Sequence, residues 1–244
     1  MSGDRAGGGE PARTDPRNVD FLPGASGGIA AGYVEDGMSV GLGTGRAAEG
    51  FVRALAGRVR EGLTLLAVPT SEATRKLAES LGIPLTTLEA AGQLDLTVDG
   101  ADEVDPRLDL IKGLGGALVR EKIVAASSER FVILVGEEKL VERLGVRTPL
   151  PVEVVPFGLT LCRRRLAALG CQPALRPAKS GPGNFVSDNG NAIFDCKFPA
   201  IDDGRRLESA IIEIPGVVGT GLFLGMAERV LVQQGDFVRV LRRA

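Results

Sequence analysis

The chain has 244 residues, a formal net charge of −2, one Tyr, no Trp and no His. That length buries a full core in one large domain or two modest ones, while the near-balanced charge and scarce aromatic rings argue against nucleic acid as a partner. The absence of histidine removes Ser-His-Asp chemistry and His-ligated zinc, so any acid–base work falls to carboxylates and lysines.

Residues 1–22 are rich in Gly, Pro and charged side chains and lack the apolar core of a signal peptide, so they read as a disordered tail. Ordered structure is expected from about Ala25, with a small-residue helix running to Tyr33-Val34. Ser39 to Leu42 is a short apolar strand, and Gly41-Leu42-Gly43-Thr44-Gly45 turns out of it into a helix marked by Ala48, Phe51, Val52 and Leu55. The unit then repeats: strand Leu63 to Val68, turn Pro69-Thr70-Ser71 with Ser71 as N-cap, helix Thr74 to Leu81. Leu94 to Val98 is the next strand, Ala117 to Ala126 a helix, and Phe131 to Val135 a strongly apolar strand. Such alternation predicts a Rossmann-like parallel sheet, whose ligands bind outside the C-terminal ends of the strands.

Around Thr148-Pro149-Leu150-Pro151 the rhythm changes. Val152 to Val155, Gln172 to Leu175, Asn184 to Ser187 and Ala192 to Lys197 read as strands, with helices at Leu159 to Leu169 and Arg206 to Ile212. This order suggests a smaller ferredoxin-like α+β domain. Arg163-Arg164-Arg165 reads as a solvated helix face, with phosphate contact as the alternative. Short strands at Leu222-Phe223, Val230 to Val232 and Phe237 to Leu241 are expected to rejoin the first domain in part. The expected division is a tail over 1–22, a Rossmann-like catalytic domain over 23–147 plus 219–244, and a small α+β domain over 148–218. Cys162, Cys171 and Cys196 show no CxxC spacing, which suits a reducing cytosol and buried apolar roles. No apolar run approaches the ~20 residues of a membrane span.

Three segments carry chemistry. In Gly41-Leu42-Gly43-Thr44-Gly45 the glycines let backbone amides approach an anion at a helix start; a plain tight turn is the competing reading. Asp99 and Asp102 in Asp99-Gly100-Ala101-Asp102-Glu103 suit one shared ligand, a capping role or a hard cation, and Lys112 nearby competes with the cation. Lys112-Gly113-Leu114-Gly115-Gly116 opens a helix with free N–H groups fit for an oxyanion, and Glu121 falls in its first turns. A carboxylate beside an oxyanion site is what proton abstraction next to a carbonyl requires, while a surface pair with Arg120 or Lys122 is the alternative for Glu121.

Together these segments, with Thr70-Ser71, Leu150-Pro151-Val152-Glu153-Val154, Asp188-Asn189-Gly190-Asn191 and Ile214-Pro215-Gly216-Val217-Val218, resemble the type A ribose-5-phosphate isomerase family over about residues 29 to 240. The resemblance implies a cofactor- and metal-free interconversion of an aldopentose 5-phosphate and its 2-keto isomer through an enediolate. It implies Glu121 as the carbon base, Asp99 in ring opening, and Asp102 and Lys112 on the sugar oxygens. Gly113, Gly115 and Gly116 would hold the enediolate oxygen, and Gly43, Thr44, Gly45, Arg46, Ser71 and Lys139 would line the sugar phosphate. A cytoplasmic homodimer or homotetramer is implied as well. The family continues Gly-Thr-Gly with Ser-Thr, where this chain has Arg46-Ala47, and a lysine of the first helix is missing. Either Arg46 replaces the lost phosphate contacts, or the substrate's distal group differs. A non-catalytic sugar-phosphate sensor and an acyl-transfer enzyme of the coenzyme-A transferase type remain the rival readings.

Overall fold

The computed structural model describes residues 14–15 and 19–243. Its elements in chain order begin with β1 (Thr14–Asp15), β2 (Val19–Pro23), α1 (Ser26–Ala31), β3 (Met38–Leu42), α2 (Arg46–Arg60), β4 (Leu65–Pro69), α3 (Glu72–Ser80) and α4 (Leu88–Ala91). The middle of the chain holds β5 (Leu94–Gly100), β6 (Glu103–Val104), β7 (Leu110–Ile111), α5 (Leu118–Ala126) and β8 (Ser128–Gly136). After these come β9 (Leu150–Val154), α6 (Leu159–Ala168), β10 (Gln172–Leu175), β11 (Ala192–Lys197), α7 (Gly204–Ile212), β12 (Val217–Thr220), β13 (Leu222–Phe223), β14 (Arg229–Gln234) and β15 (Phe237–Arg242).

The main sheet has the order β1-β2-β15-β14-β8-β5-β3-β4. Strands β4, β3, β5, β8 and β14 run parallel, and β15 and β2 add antiparallel at one side. Parallel strands covered on both faces read as continuous apolar runs. Val132, Ile133 and Leu134 of β8 and Val230, Leu231 and Val232 of β14 are accordingly all fully buried. Helix α2 closes one face because Ala48, Phe51, Val52, Leu55 and Ala56 fall on one stripe. Chain order reverses between β3 and β5, since β3 is followed by β4 on one side and by β5 on the other. The crevice at such a switch point is where open α/β sheets bind ligands. Here the loops after β3 and β5 flank it.

A separate antiparallel sheet, β10-β11-β9-β12, carries α6 and α7 in a β-α-β-β-α-β sequence. Its core gathers Leu150, Val152, Val154, Cys162, Leu166, Phe194 and Ile211. The three cysteines are free and buried, and the Arg163 to Arg165 triplet is exposed on α6.

The structure departs from the sequence-based expectations at several places. Val19–Pro23 is a strand paired with β15 inside the stretch read as a disordered tail. Leu22 packs there on the main core, a contact that the Gly- and Pro-rich composition around it does not announce. The rest of that stretch, 1–13 and 16–18, lies outside the described residues. Asn184 to Ser187 forms only an isolated bridge at Asn184, because Ser187 and Asn191 turn inward to the buried Glu153. Leu222–Phe223 joins neither large sheet but a three-stranded one with β7 and β6.

Candidate functional site

Three charged side chains meet under the C-terminal edge of the parallel sheet. Asp99 ends β5, Lys112 follows β7, and Glu121 sits in the first turn of α5. Lys112 Nζ lies 2.9 Å from Asp99 Oδ2 and 3.4 Å from Glu121 Oε2, and it donates to Gly100 O at 2.6 Å. Asp99, Lys112 and Glu121 are 0%, 2% and 3% exposed, so this is a buried triad and not a surface pairing of Glu121 with Arg120 or Lys122. The Lys112 ammonium also stands 5.4 Å from the centre of the buried Phe223 ring, which adds a cation–π attraction.

The loop after β3 wraps against Asp99. Thr44 N–H and Gly100 N–H donate to Asp99 Oδ1 at 3.0 and 2.7 Å. A Cβ at Gly43 would lie 2.2 Å from the same oxygen, so glycine is required by close approach at that position. Thr44 Oγ1 is within hydrogen-bond distance of Thr70 Oγ1 (2.8 Å), Ser71 Oγ (2.8 Å) and Thr74 Oγ1 (3.2 Å). Ser71 also caps α3, accepting from Thr74 N–H at 3.1 Å.

One lysine cannot neutralise two buried carboxylates. Burial lifts Asp99 above the ordinary carboxylate range, although the Lys112 charge and the two backbone N–H groups pull it down. Burial likewise pushes Glu121 up to about 8, helped by the Asp99 charge and opposed by Lys112. Burial acts against the charged form of Lys112 too, but the Asp99 and Glu121 charges outweigh it and hold the ammonium above the usual lysine range. Asp99 has the closer lysine contact and the backbone donors, which favour its ionised form over that of Glu121 within the coupled pair.

A cavity of about 540 Å³ opens over the triad. Lys112, Glu121 and Asp102 line it, with Gly113 and Gly115 from the glycine loop. Thr44, Gly45 and Arg46, where β3 turns into α2, line it as well, and so does Lys139. Four of the sequence-derived candidates are absent from the wall. Asp99 touches the cavity's lysine from behind, Gly43 backs Asp99, Ser71 backs Thr44, and Gly116 faces the Phe185 ring in the loop between β10 and β11. Asp102 Oδ2 accepts from Leu114 N–H at 3.0 Å, which ties the acidic loop to the glycine loop. Among the described residues no group of three or more acids or cysteines is arranged to hold a metal ion, and no helix is long and apolar enough to cross a membrane.

Sequence reasoning missed part of the wall. Leu134, Val135, Gly136 and Glu138 line the cavity from the end of β8 and the turn beyond it. The rule that ligands sit at strand C-termini points to this segment, because β8 is parallel to β5. Arg176 was also missed, and a single Arg beyond a short strand offers no motif by which to find it.

The profile described as ribose 5-phosphate isomerase A (phosphoriboisomerase A) matches residues 66–236. The chain is 57% identical over 209 residues to the ribose-5-phosphate isomerase A of Roseiflexus castenholzii, spanning 85% of this chain and 89% of that relative. It is 52% identical over 225 residues to the corresponding protein of Gloeobacter violaceus, spanning 92% and 97%. The solved ribose 5-phosphate isomerase A of Methanocaldococcus jannaschii superposes with a TM-score of 0.86 at 42% identity, over 89% of this chain and 96% of that one. A solved D-ribose-5-phosphate isomerase in complex with phospho-erythronic acid matches with the same score at 38% identity, over 89% and 96%. By profile, sequence and fold, the chain belongs to the ribose 5-phosphate isomerase A family.

Proposed function

We propose that the chain is an isomerase that interconverts ribose 5-phosphate and ribulose 5-phosphate through a 1,2-enediolate. The observation that carries the reading is the buried Lys112 ammonium shared by Asp99 and Glu121 at the floor of a sugar-sized cavity. Glu121 in its ionised form takes the C2 proton of the open-chain aldose. The C2–H electron pair moves into the C1 carbonyl, and the charge that develops on O1 is met by Lys112 and by N–H groups of the glycine loop. Glu121 then returns its proton to C1, while the O2 hydroxyl loses its proton as the C2 ketone forms, and O1 gains one. A carboxyl raised to about 8 is a stronger base than an ordinary glutamate, which suits it to a weakly acidic C–H. Asp99, held between Lys112 and two N–H groups behind the cavity wall, serves ring opening by holding the Lys112 ammonium toward the sugar oxygens.

Arg46 and Lys139 line the same cavity as Lys112 and Glu121 and are not part of the buried triad, which leaves both cations free for a 5-phosphate. We assign the phosphate to them, with Arg46 taking the place of the hydroxyl pair usual in the family. The parallel unit (23–147 plus 219–244) supplies the reacting groups, and the antiparallel unit (148–218) supports them. The protein acts in the cytoplasm as a homodimer or homotetramer; the family resemblance and the exposed apolar Phe157, Val155 and Val218 support assembly. The test is Glu121→Gln. Turnover should be abolished with sugar-phosphate binding retained, and the wild-type chain should exchange the C2 hydrogen of its substrate with deuterated solvent. Normal turnover in the variant would remove Glu121 as the base, and a covalent adduct on Glu121 would favour acyl transfer instead.

A further inference from the structure

The glycine loop between β7 and α5 is held from its far side by the antiparallel unit. Arg176 follows β10 and is buried. Its Nη1 donates to Gly113 O at 3.0 Å and to Leu114 O at 3.1 Å. The opposite edge of the guanidinium is fixed by Asp195 on β11, with Nε donating to Oδ2 at 3.0 Å and Nη2 to Oδ1. Lys179 Nζ donates to Gly115 O at 3.3 Å. Both cations lie over the Phe185 ring, 5.7 and 5.4 Å from its centre. That ring occupies the place of a side chain at Gly116, whose φ is +96° and where a Cβ would lie 2.2 Å from Phe185 Cζ.

The carbonyls of three successive residues thus face two cations of another unit. In a trans peptide the N–H points opposite its C=O. The Gly113–Leu114 peptide therefore turns its N–H away from Arg176, and that N–H reaches Asp102 on the cavity wall. The next peptide, Leu114–Gly115, is held by the same guanidinium. Its N–H has no protein acceptor among the described residues, and Gly115 lines the cavity.

We infer that Arg176 is a positioning residue for the isomerisation: by gripping the Gly113 and Leu114 carbonyls it locks the glycine loop so that the Gly115 N–H is aimed at the developing enediolate oxygen. The inference rests on the isomerase reading. A buried arginine that served only packing would, when altered, lower stability and leave the kinetic constants of the folded protein alone. An arginine that aims a donor acts on the transition state and shows in kcat rather than KM.

The experiment uses the full chain as wild type, Arg176→Met, Arg176→Lys and Asp195→Asn. It measures kcat and KM for ribose 5-phosphate together with inhibition constants for phospho-erythronic acid and inorganic phosphate. The first inhibitor offers a carboxylate beside the oxyanion donors, and the second probes the phosphate contacts alone. Arg176→Met should lower kcat about 10- to 100-fold with KM within about threefold. The inhibition constant for phospho-erythronic acid should rise alongside, and that for phosphate should stay. Asp195→Asn keeps Arg176 but loosens its fork, so it should move the same quantities in the same direction by less; Arg176→Lys, which keeps one donor, should fall between. Unchanged kcat in folded Arg176→Met or Asp195→Asn, or equal weakening of both inhibitors, would overturn the assignment. Should Arg176→Met fail to fold, the other two variants decide by the same criteria. A wild-type chain without isomerase activity removes the isomerase reading and this one with it. An active wild type beside fully active variants removes only the role of Arg176.

Discussion

Replacing Glu121 by Gln should stabilise the protein at neutral and alkaline pH. The carboxyl is raised from an ordinary 4.5 to about 8 in the folded chain, with burial as the chief cause. The folded state therefore holds a proton that the unfolded chain releases, and stability contributed by this group is present at low pH and lost as pH rises through about 8. A tenfold difference in proton affinity between the folded and unfolded chain corresponds to about 1.4 kcal/mol, so between about pH 5 and pH 8 the wild type loses roughly 3 to 4 kcal/mol that the Gln variant does not. Glutamine matches the protonated carboxyl in shape and charge, so the two proteins should be nearly equal near pH 5 and diverge steadily above it. Urea unfolding of both proteins at fixed protomer concentration across this range gives the difference directly. A difference independent of pH would refute the buried, proton-sharing triad, and a wild type that gains on the variant as pH rises would reverse its sign.

Because Glu121 must be ionised to accept a proton from carbon, wild-type kcat/KM should rise with pH and level off beyond about 8, as read from initial rates with ribose 5-phosphate. Arg46→Ala should raise KM for ribose 5-phosphate by about tenfold with little change in kcat, since a charge-assisted contact to a non-reacting phosphate is uniform binding; an unchanged KM would clear Arg46 of that role. Lys112→Met removes the one cation between two buried carboxylates. It should cost about 3 to 5 kcal/mol in urea unfolding and eliminate turnover, and the stability loss should shrink on acidification as the carboxylates protonate.

The parts of the site that were legible in the sequence are those with a local signature. Asp99 is announced by the apolar run Leu94 to Val98 that ends on it, and the Lys112 loop by glycines opening a helix. Family resemblance then joined these segments into one site, which local pattern alone does not do. Glu121 shows the limit: it lies between Arg120 and Lys122, and although it shares a helical face with Leu118 and Ala125, that spacing alone does not decide between burial and a surface pair such as Arg120 makes with Asn189 and Asp188. Its burial is decided by what β5 and β7 bring beneath α5. Arg176 is harder still, because its meaning comes from carbonyls 62 and 63 residues earlier in the chain. Strands of two residues such as β6 and β7 are too short for alternation to register, and β2 joins the main sheet through β15, from the far end of the chain.

The placement of β14 has a consequence for how the molecule is made. Everything from β9 to β13 intervenes between β8 and β14, its partner on the side away from β5, so a nascent chain displays that side of β8 as an open rim until residue 229 or later has left the ribosome. That rim carries Phe131 to Val135, an uninterrupted apolar stretch of the kind that templates association between chains. During synthesis the exposed period is set by the time taken to translate the intervening segment, which makes the last strands the seal on the sheet as well as part of its core.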